Sequence, residues 1–346
     1  AINGQSSDKI IKIGVVLPLT GSQAFAGESM KNSLIIAQKD LEDKQNLGKA
    51  VKYQYKLIFE DDAFDAKTAA NAAQKLISVD KVDAIIDAYA PIGNVISPIA
   101  ENNKIVHIGV AFDPKIAVGE YNFLLFTTPD TAAKTFLAEL QKKGIHRLGI
   151  IKVNNQGILS VDSALAKYAH DYNIEIVSNE MFQPGQRDFR DLIVKSSKTN
   201  AEIYALLALS PEIEVLSKQM SDLGLHNQTT VIYFEVVPNK SVFEGLWSVG
   251  YGKISDDWNN EYRKTYGSDP GFGAANVYDA FNVIVAASES SDDASRKPKT
   301  EYIANQIQGM SEFDGVLGIL HINSDGIIDT PASIKVIKNG KMVVVE

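Results

Sequence analysis

Apolar and polar positions follow two rhythms along this chain. Residues 10–17, Ile-Ile-Lys-Ile-Gly-Val-Val-Leu, form a near-continuous aliphatic run. In a chain that later alternates such runs with helical patterns, this predicts a central parallel strand covered on both faces. Pro18, Thr20, Gly21, Ser22 and Gly27 then break the run and lead to a helix starting near Glu28. Residues 20–26 are thereby predicted to be a polar loop at the carboxyl end of a parallel strand, where open α/β sheets hold small molecules. The alternation continues with strands at 57–60, 84–89, 105–109 and 123–127, and with helices over 66–78 and 93–102. The order β-α-β-α-β-α-β predicts a parallel sheet with right-handed crossovers.

A second unit of the same grammar follows. A helix over 131–143 is entered through Thr128-Pro129-Asp130, with Asp130 as its expected N-cap and Gly144 at its C-terminal end. Strands at 148–153, 174–181, 203–209, 230–233 and 246–249 alternate with helices over 160–170, 188–197 and 212–223. Beyond them the spacing predicts helices over 255–266, 274–288 and 299–308, a polar surface loop over 288–299, and a strand at 316–321. Asn323-Ser324-Asp325-Gly326 is a turn signal, and Asn339-Gly340 joins strands 334–337 and 342–345 in a hairpin whose Asn-Gly pair favours a type I′ turn.

Composition narrows the functional classes. At 346 residues the chain exceeds what one core usually supports, so two domains are expected. A net charge of -9 argues against nucleic acid, which needs clustered Lys and Arg. The absence of cysteine excludes disulfides, thiolate metal sites and Cys nucleophiles. No apolar run approaches the roughly 18 residues of a membrane span, no signal peptide is visible, and the polar start at 3–9 is what either a processed mature protein or a trimmed chain shows.

Catalytic signatures fail their context tests. The five histidines, His107, His146, His170, His226 and His321, have no i, i+4 pairing and no nearby acidic motif, so they read as isolated imidazoles and not as a ligand set. Gly271-Phe272-Gly273-Ala274-Ala275-Asn276 lacks the third glycine of a dinucleotide fingerprint and follows a polar turn where a strand should be. Asp61, Asp62 and Asp65 lack the glycine and terminal Glu of a calcium loop, which leaves capping and turn roles. The balance is against an enzyme and against cofactors. Binding by loops after parallel strands is what the layout supports, with candidates at 20–25, 89–93, 111–113, 152–157, 209–212 and 234–236.

The opening Ile-Gly-Val-Val-Leu-Pro-Leu-Thr-Gly, then Gly27 and a helix ending in Asp40-Leu41-Glu42, resembles the type I periplasmic binding proteins, the branched-chain amino acid group of ABC-transporter receptors. Asp61-Asp62-Ala63-Phe64-Asp65 before an Ala-rich helix, Asp188-Phe189 after a glycine, and Tyr278-Asp279-Ala280 extend the resemblance over essentially the whole chain. It implies two Rossmann-like α/β lobes and three hinge crossovers. The first lobe would be 1–126 plus 250–329 and the second 127–249 plus 330–346, with the ligand in the cleft between them. It also implies an extracytoplasmic, monomeric receptor that delivers a small molecule to a membrane ABC permease by hinge closure.

The resemblance assigns ligand residues unevenly. Glu235 stands where relatives place the acid that takes the ligand ammonium, and a desolvated ammonium needs such a partner. Ala90, between Tyr89 and Pro91, stands where relatives carry a carboxylate-binding Ser. Asp113, after Ala111 and Phe112, stands where they carry a Thr. Gln156 and Ser210 fall near two tyrosine positions of relatives, and Phe25 and Gly93 complete the candidate set. Backbone amides near Gly93 are a second way to hold a carboxylate. Tyr89, Phe112, Phe234 and Phe272 supply apolar walls. An amino acid or close derivative is the expected ligand. An amine held by Asp113 and Glu235, and a ligand-sensing regulator with the same fold, are the alternatives.

Overall fold

The computed structural model describes residues 7–232 and 240–345. In chain order, β1 (Ile10–Leu17), α1 (Ala24–Asn46), β2 (Gln54–Asp61), α2 (Ala66–Lys75), β3 (Ala84–Ala88), α3 (Ala90–Asn103), β4 (Val106–Val110) and β5 (Asn122–Phe126) come first. They are followed by α4 (Pro129–Lys142), β6 (Arg147–Val153), α5 (Gln156–Tyr168), β7 (Glu175–Phe182), α6 (Arg190–Ser197), β8 (Ile203–Leu207), α7 (Glu212–Asp222), β9 (Thr229–Ile232) and β10 (Trp247–Tyr251). The last stretch holds α8 (Asp256–Tyr266), α9 (Ala274–Glu289), α10 (Thr300–Gly309), β11 (Glu312–Gly315), β12 (Gly318–Ile322), β13 (Ile327–Asp329), β14 (Ala332–Lys338) and β15 (Lys341–Val344).

These elements form two compact units. One runs to Phe126 and resumes over Ile254–Thr330; the other comprises Thr127–Lys253 and the segment from Pro331 onward. The first unit carries an eight-stranded sheet in the order β11-β12-β13-β5-β4-β3-β1-β2, and the second a seven-stranded sheet in the order β15-β14-β10-β9-β8-β6-β7. Both are mostly parallel, with antiparallel pairs confined to one side, β11·β12 and β12·β13 in the first and β10·β14 and β14·β15 in the second. Two α/β units with such sheets are the type I periplasmic binding fold.

Burial explains why the strands form where they do. Every residue of β3, β4, β5 and β8 is buried, as expected for central parallel strands covered by helices on both faces. In the first unit α9 buries twelve of its sixteen residues, including Phe281 and Ile284. Its C-terminal end is fixed by Lys52, whose ammonium donates to the carbonyls of Glu289 and Ser291 at 2.6 and 2.8 Å. Asn339 and Gly340 adopt φ of 54° and 68°, the two positive values that a type I′ turn requires, and β14 pairs with β15 across them. No helix among the described residues is long and apolar enough to cross a membrane.

Some local expectations are corrected. The N-cap of α4 is Thr128 and not Asp130: the Thr128 hydroxyl accepts from Thr131 N–H at 3.1 Å, while Asp130 takes Lys167 and the Tyr168 hydroxyl. We expect Thr128→Ala to cost about 1 kcal/mol of stability, read as a lower denaturant midpoint with an unchanged slope. α3 starts at Ala90, three residues earlier than the pattern predicted, because Pro91 sits in the first turn, where a missing N–H costs nothing. β11 was not foreseen at all.

Candidate functional site

In the first unit the parallel strands run 2-1-3-4-5, so chain connections leave β1 and β3 in opposite directions and open a crevice at their carboxyl ends. The loop after β1 and the turn after β3 flank this switch point, and they are joined: the Tyr89 hydroxyl donates to Gln23 Oε1 at 3.2 Å. Tyr89 has φ 76°, in the left-handed region that a bulky residue rarely occupies. Ala63 and Phe64, in the turn after β2, also have positive φ, 49° and 60°. Backbone strain thus collects at the carboxyl end of this sheet, as it does at ligand sites.

Those turns aim aromatic rings at one another. Tyr89 stacks on Phe272, with centroids 5.3 Å apart and planes at 21°, and meets the edge of Phe64 at 5.1 Å. Phe112 packs edge-on to Phe126 at 4.5 Å and against Phe272 at 5.8 Å, and Phe126 lies 5.5 Å from Phe272. Five rings, from the ends of β2, β3, β4 and β5 and from the loop before α9, form one apolar face. Burial pushes the Tyr89 hydroxyl well above its ordinary value, with the Asp62 carboxyl adding to the effect, so it stays a neutral donor.

The acids nearby are committed to the loops. Asp61 accepts from Leu19 and Thr20 N–H, from the Thr20 hydroxyl at 2.6 Å, and from Ala63 N–H. Burial raises its carboxyl, but the Thr20 hydroxyl and these N–H groups outweigh that and hold it below the usual carboxylate range. Asp65 caps α2 through Thr68 N–H. Asp62 is fully buried; one oxygen accepts from Phe64 N–H at 2.6 Å and the other has no hydrogen-bond partner. Burial pushes it up to about 7, the Phe64 bond pulls the other way, and the charge of Asp87 adds to the rise. Among the described residues no group of three His, Cys, Asp or Glu side chains is placed to hold a metal ion.

The structure separates the sequence candidates. Tyr89 and Phe112 lie in the ring face, together with Phe272. Phe25 is half-buried in the first turn of α1. Ala90 and Ala111 pack with Ile116, Ala117 and Leu124 in a buried apolar cluster. The Gly93 N–H donates to the Tyr89 carbonyl at 2.9 Å, as does that of Ile92 at 3.1 Å, and Pro91 has no N–H, so most of the α3 first-turn donors are spent. A Cβ on Gly93 would lie 2.6 Å from Ile116, which makes this glycine a close-packing position. Asp113, 2% exposed, caps the turn that follows it, accepting from Lys115 N–H at 3.1 Å and from Asn94 Nδ2 at 3.0 Å.

The second unit repeats the 2-1-3-4-5 order as β7-β6-β8-β9-β10, with its switch point between β6 and β8. Gln156 and Ser210 lie in the two loops that flank it. Gln156 is exposed at the start of α5, which Asn155 caps through Gly157 N–H at 3.0 Å. The Ser210 hydroxyl donates to Glu214 at 2.6 Å. The buried Lys152 side chain donates to half-buried Asp162 and exposed Asn179. Glu235, with Phe234 and Val236, lies outside the described residues.

Phe64 and Phe126 fall outside the loops that the sequence pointed to, while Gln23 falls inside the 20–25 loop without standing out from it. Phe64 carried a usable signal, a large aromatic inside an otherwise polar Asp-Asp-Ala-Phe-Asp turn. His107 is the larger omission. It is not an isolated imidazole but a fully buried one, bonded to Asp87 at 2.7 Å and to Asn122 at 2.8 Å.

Comparison with known proteins agrees with this architecture. Residues 10–341 match the periplasmic binding protein family. A curated relative, the Leu/Ile/Val-binding protein BraC3 of Rhizobium johnstonii, is 25% identical over 69% of this chain, and the match spans 64% of that relative's length. Among solved structures, the leucine binding protein LivK of Thermotoga maritima superposes with a TM-score of 0.85 at 22% identity, over 97% of this chain and 98% of its own. A Rhodopseudomonas palustris ABC-transporter solute binding protein, solved with 3,4-dihydroxybenzoic acid, gives 0.81 at 19% identity over 98% and 96%. At such identities the structural likeness establishes the fold, while the family match extends across nearly the whole sequence. The chain belongs to the periplasmic binding protein family.

Proposed function

We propose that this chain is the extracytoplasmic solute-binding component of an ABC importer, and that it binds a small organic molecule, an amino acid or close derivative with an apolar body. The observation that carries the ligand class is the five-ring cluster at the switch point of the first unit, largely buried, which gives an apolar wall where such sheets bind ligands. The relatives support it from outside, since their names and bound molecules are branched-chain amino acids and an aromatic acid. Glu235 is the proposed partner of a ligand ammonium. Asp113 is a weaker candidate for that role, because its carboxylate already serves two donors. Delivery to a membrane permease is part of the same proposal.

Thermal unfolding of ligand-stripped protein against aliphatic and aromatic amino acids, benzoate-type acids, polyamines and sugars tests this reading. A true ligand at 100 times its dissociation constant adds about 2.7 kcal/mol, a rise of several degrees. We expect the rise with amino acids or aromatic acids. A rise confined to polyamines or sugars would overturn the ligand class.

A further inference from the structure

Beneath α3, on the sheet face opposite α9, a polar chain crosses the first unit from β3 to β5. Asp87, His107 and Asn122 are 0%, 0% and 1% exposed. The Asn122 amide nitrogen donates to the carbonyls of Ser97 and Val118 at 3.1 and 2.8 Å and to Glu101 Oε2 at 3.1 Å, none of which can donate in return. That fixes the amide orientation, so the Asn122 oxygen faces the imidazole and His107 Nδ1 must carry a hydrogen. On the other side His107 Nε2 stands 2.7 Å from Asp87 Oδ2. A lone pair there would face a carboxylate oxygen, so a second proton lies between them.

We propose that His107 is held as a doubly protonated imidazolium, paired with Asp87 inside the first unit, and that this pair is the positioning element for the Tyr89 turn. The geometry carries this assignment: Asn122 takes the Nδ1 hydrogen and the Asp87 carboxylate faces Nε2. The pair reaches the site through short connections. Asp87 precedes Tyr89 by two residues, and its second oxygen, which has no hydrogen-bond partner, lies against Gly93 and Gly109, where added Cβ atoms would be 3.3 and 3.4 Å away. Gly93 is in the first turn of α3, so the ion pair, the helix start and the Tyr89 carbonyl are packed as one piece. The other charged groups facing the chain are Asp62 from the end of β2, whose charge acts on Asp87, and Glu101 from α3, already bonded to Asn122 and to the N–H groups of Glu120 and Tyr121. Removing either partner leaves the other's buried charge uncompensated, and we expect the turn packed against Asp87 to shift in response.

The protonation and the positioning are tested without any ligand; only the relevance of Tyr89 to binding rests on the proposed function. In ligand-free, nitrogen-labelled protein near neutral pH, two-bond proton–nitrogen correlation should show both His107 ring nitrogens protonated. The signals are assigned by their loss in His107→Gln. A lone-pair signal at Nε2 would overturn the ion pair. In protein carrying 3-fluorotyrosine, the Tyr89 fluorine line, assigned with Tyr89→Phe, should leave its wild-type position in Asp87→Asn and in His107→Gln, and stay in place in the remote control Ser178→Ala. A Tyr89 line unmoved in either folded variant would overturn the positioning role. If both variants fail to fold, Asn122→Ala, which removes the acceptor of His107 Nδ1, is read in their place.

Discussion

Alanine at position 27 should leave the protein severely destabilised, by about 3 kcal/mol or more, because the added carbon meets backbone and not a yielding side chain. A Cβ there would lie 2.0 Å from the Pro18 carbonyl oxygen, 2.6 Å from its carbon and 3.3 Å from the Leu19 nitrogen. Backbone atoms just past a strand whose last five residues are buried cannot step aside without moving β1 or the start of α1. Both elements matter to the candidate site: Leu17 N-terminal to the contact ends β1, and the first turn of α1 holds Gln23 in reach of the Tyr89 hydroxyl. The expected result is a fall of many degrees in the thermal midpoint, and in what stays folded a loss of ligand-induced stabilisation. A Gly27→Ala protein that melts like the parent would mean that α1 and β1 do not approach this closely.

Gly27 also shows what was legible in the sequence. The Pro, Thr, Gly and Ser cluster after an apolar run marked the strand-to-helix turn, but α1 begins at Ala24 and not near Glu28, so Gly27 lies inside its first turn. β3, β4, β5 and β8 were legible because a strand covered on both faces needs a mostly apolar run, broken here only by Asp87, His107 and Asn122. β11 was not, since its residues alternate between exposed and half-buried, and it joins the sheet by an antiparallel pairing at the edge. Thr128 and Asp130 are both good N-caps two positions apart, and only the backbone decides between them.

The candidate site was less legible than the fold because its members are far apart in the chain. Phe64, Tyr89, Phe112, Phe126 and Phe272 become neighbours only when four strand ends and the start of α9 meet. His107 reads as a lone imidazole in an apolar strand because its partners lie twenty and fifteen residues away on adjacent strands. Asp113 was placed correctly on its loop, whereas Ala90 and Gly93 fall in the first turn of α3; the environments of all three, an apolar cluster, a close packing contact and a turn cap, depend on atoms that no local pattern specifies.

Asp279→Ala should cost about 3 kcal/mol, and the same residue should give the protein a pH dependence opposite in sign to that of ordinary acid denaturation. Asp279 is 1% exposed on α9, and its two oxygens accept from Val316 N–H at 2.9 Å and Leu317 N–H at 3.1 Å, tying the helix to the β11–β12 turn. Removing the carboxyl strands two donors, and the space cannot close smoothly, since Gly315 already sits where a Cβ would be 2.4 Å from Asp279 Oδ2. Burial pushes this carboxyl up to about 7, although the Val316 and Leu317 bonds pull it down. Because its folded value lies above the ordinary value of 3.8, the folded chain keeps a proton that the unfolded chain has lost between about pH 4 and 7. The stabilisation from this group is therefore full below about 4 and disappears as the pH rises through 7. Asp62, also raised to about 7, acts in the same direction. The carboxylates held low, Asp61 among them, act in the opposite direction and lose their contribution only as the medium becomes more acidic. Thermal midpoints should accordingly be higher near pH 5.5 than near pH 8, and Asp279→Asn, which keeps the volume and one acceptor but cannot ionise, should flatten that slope. Parallel slopes in parent and Asn variant would remove Asp279 as the source, whatever the absolute loss of stability.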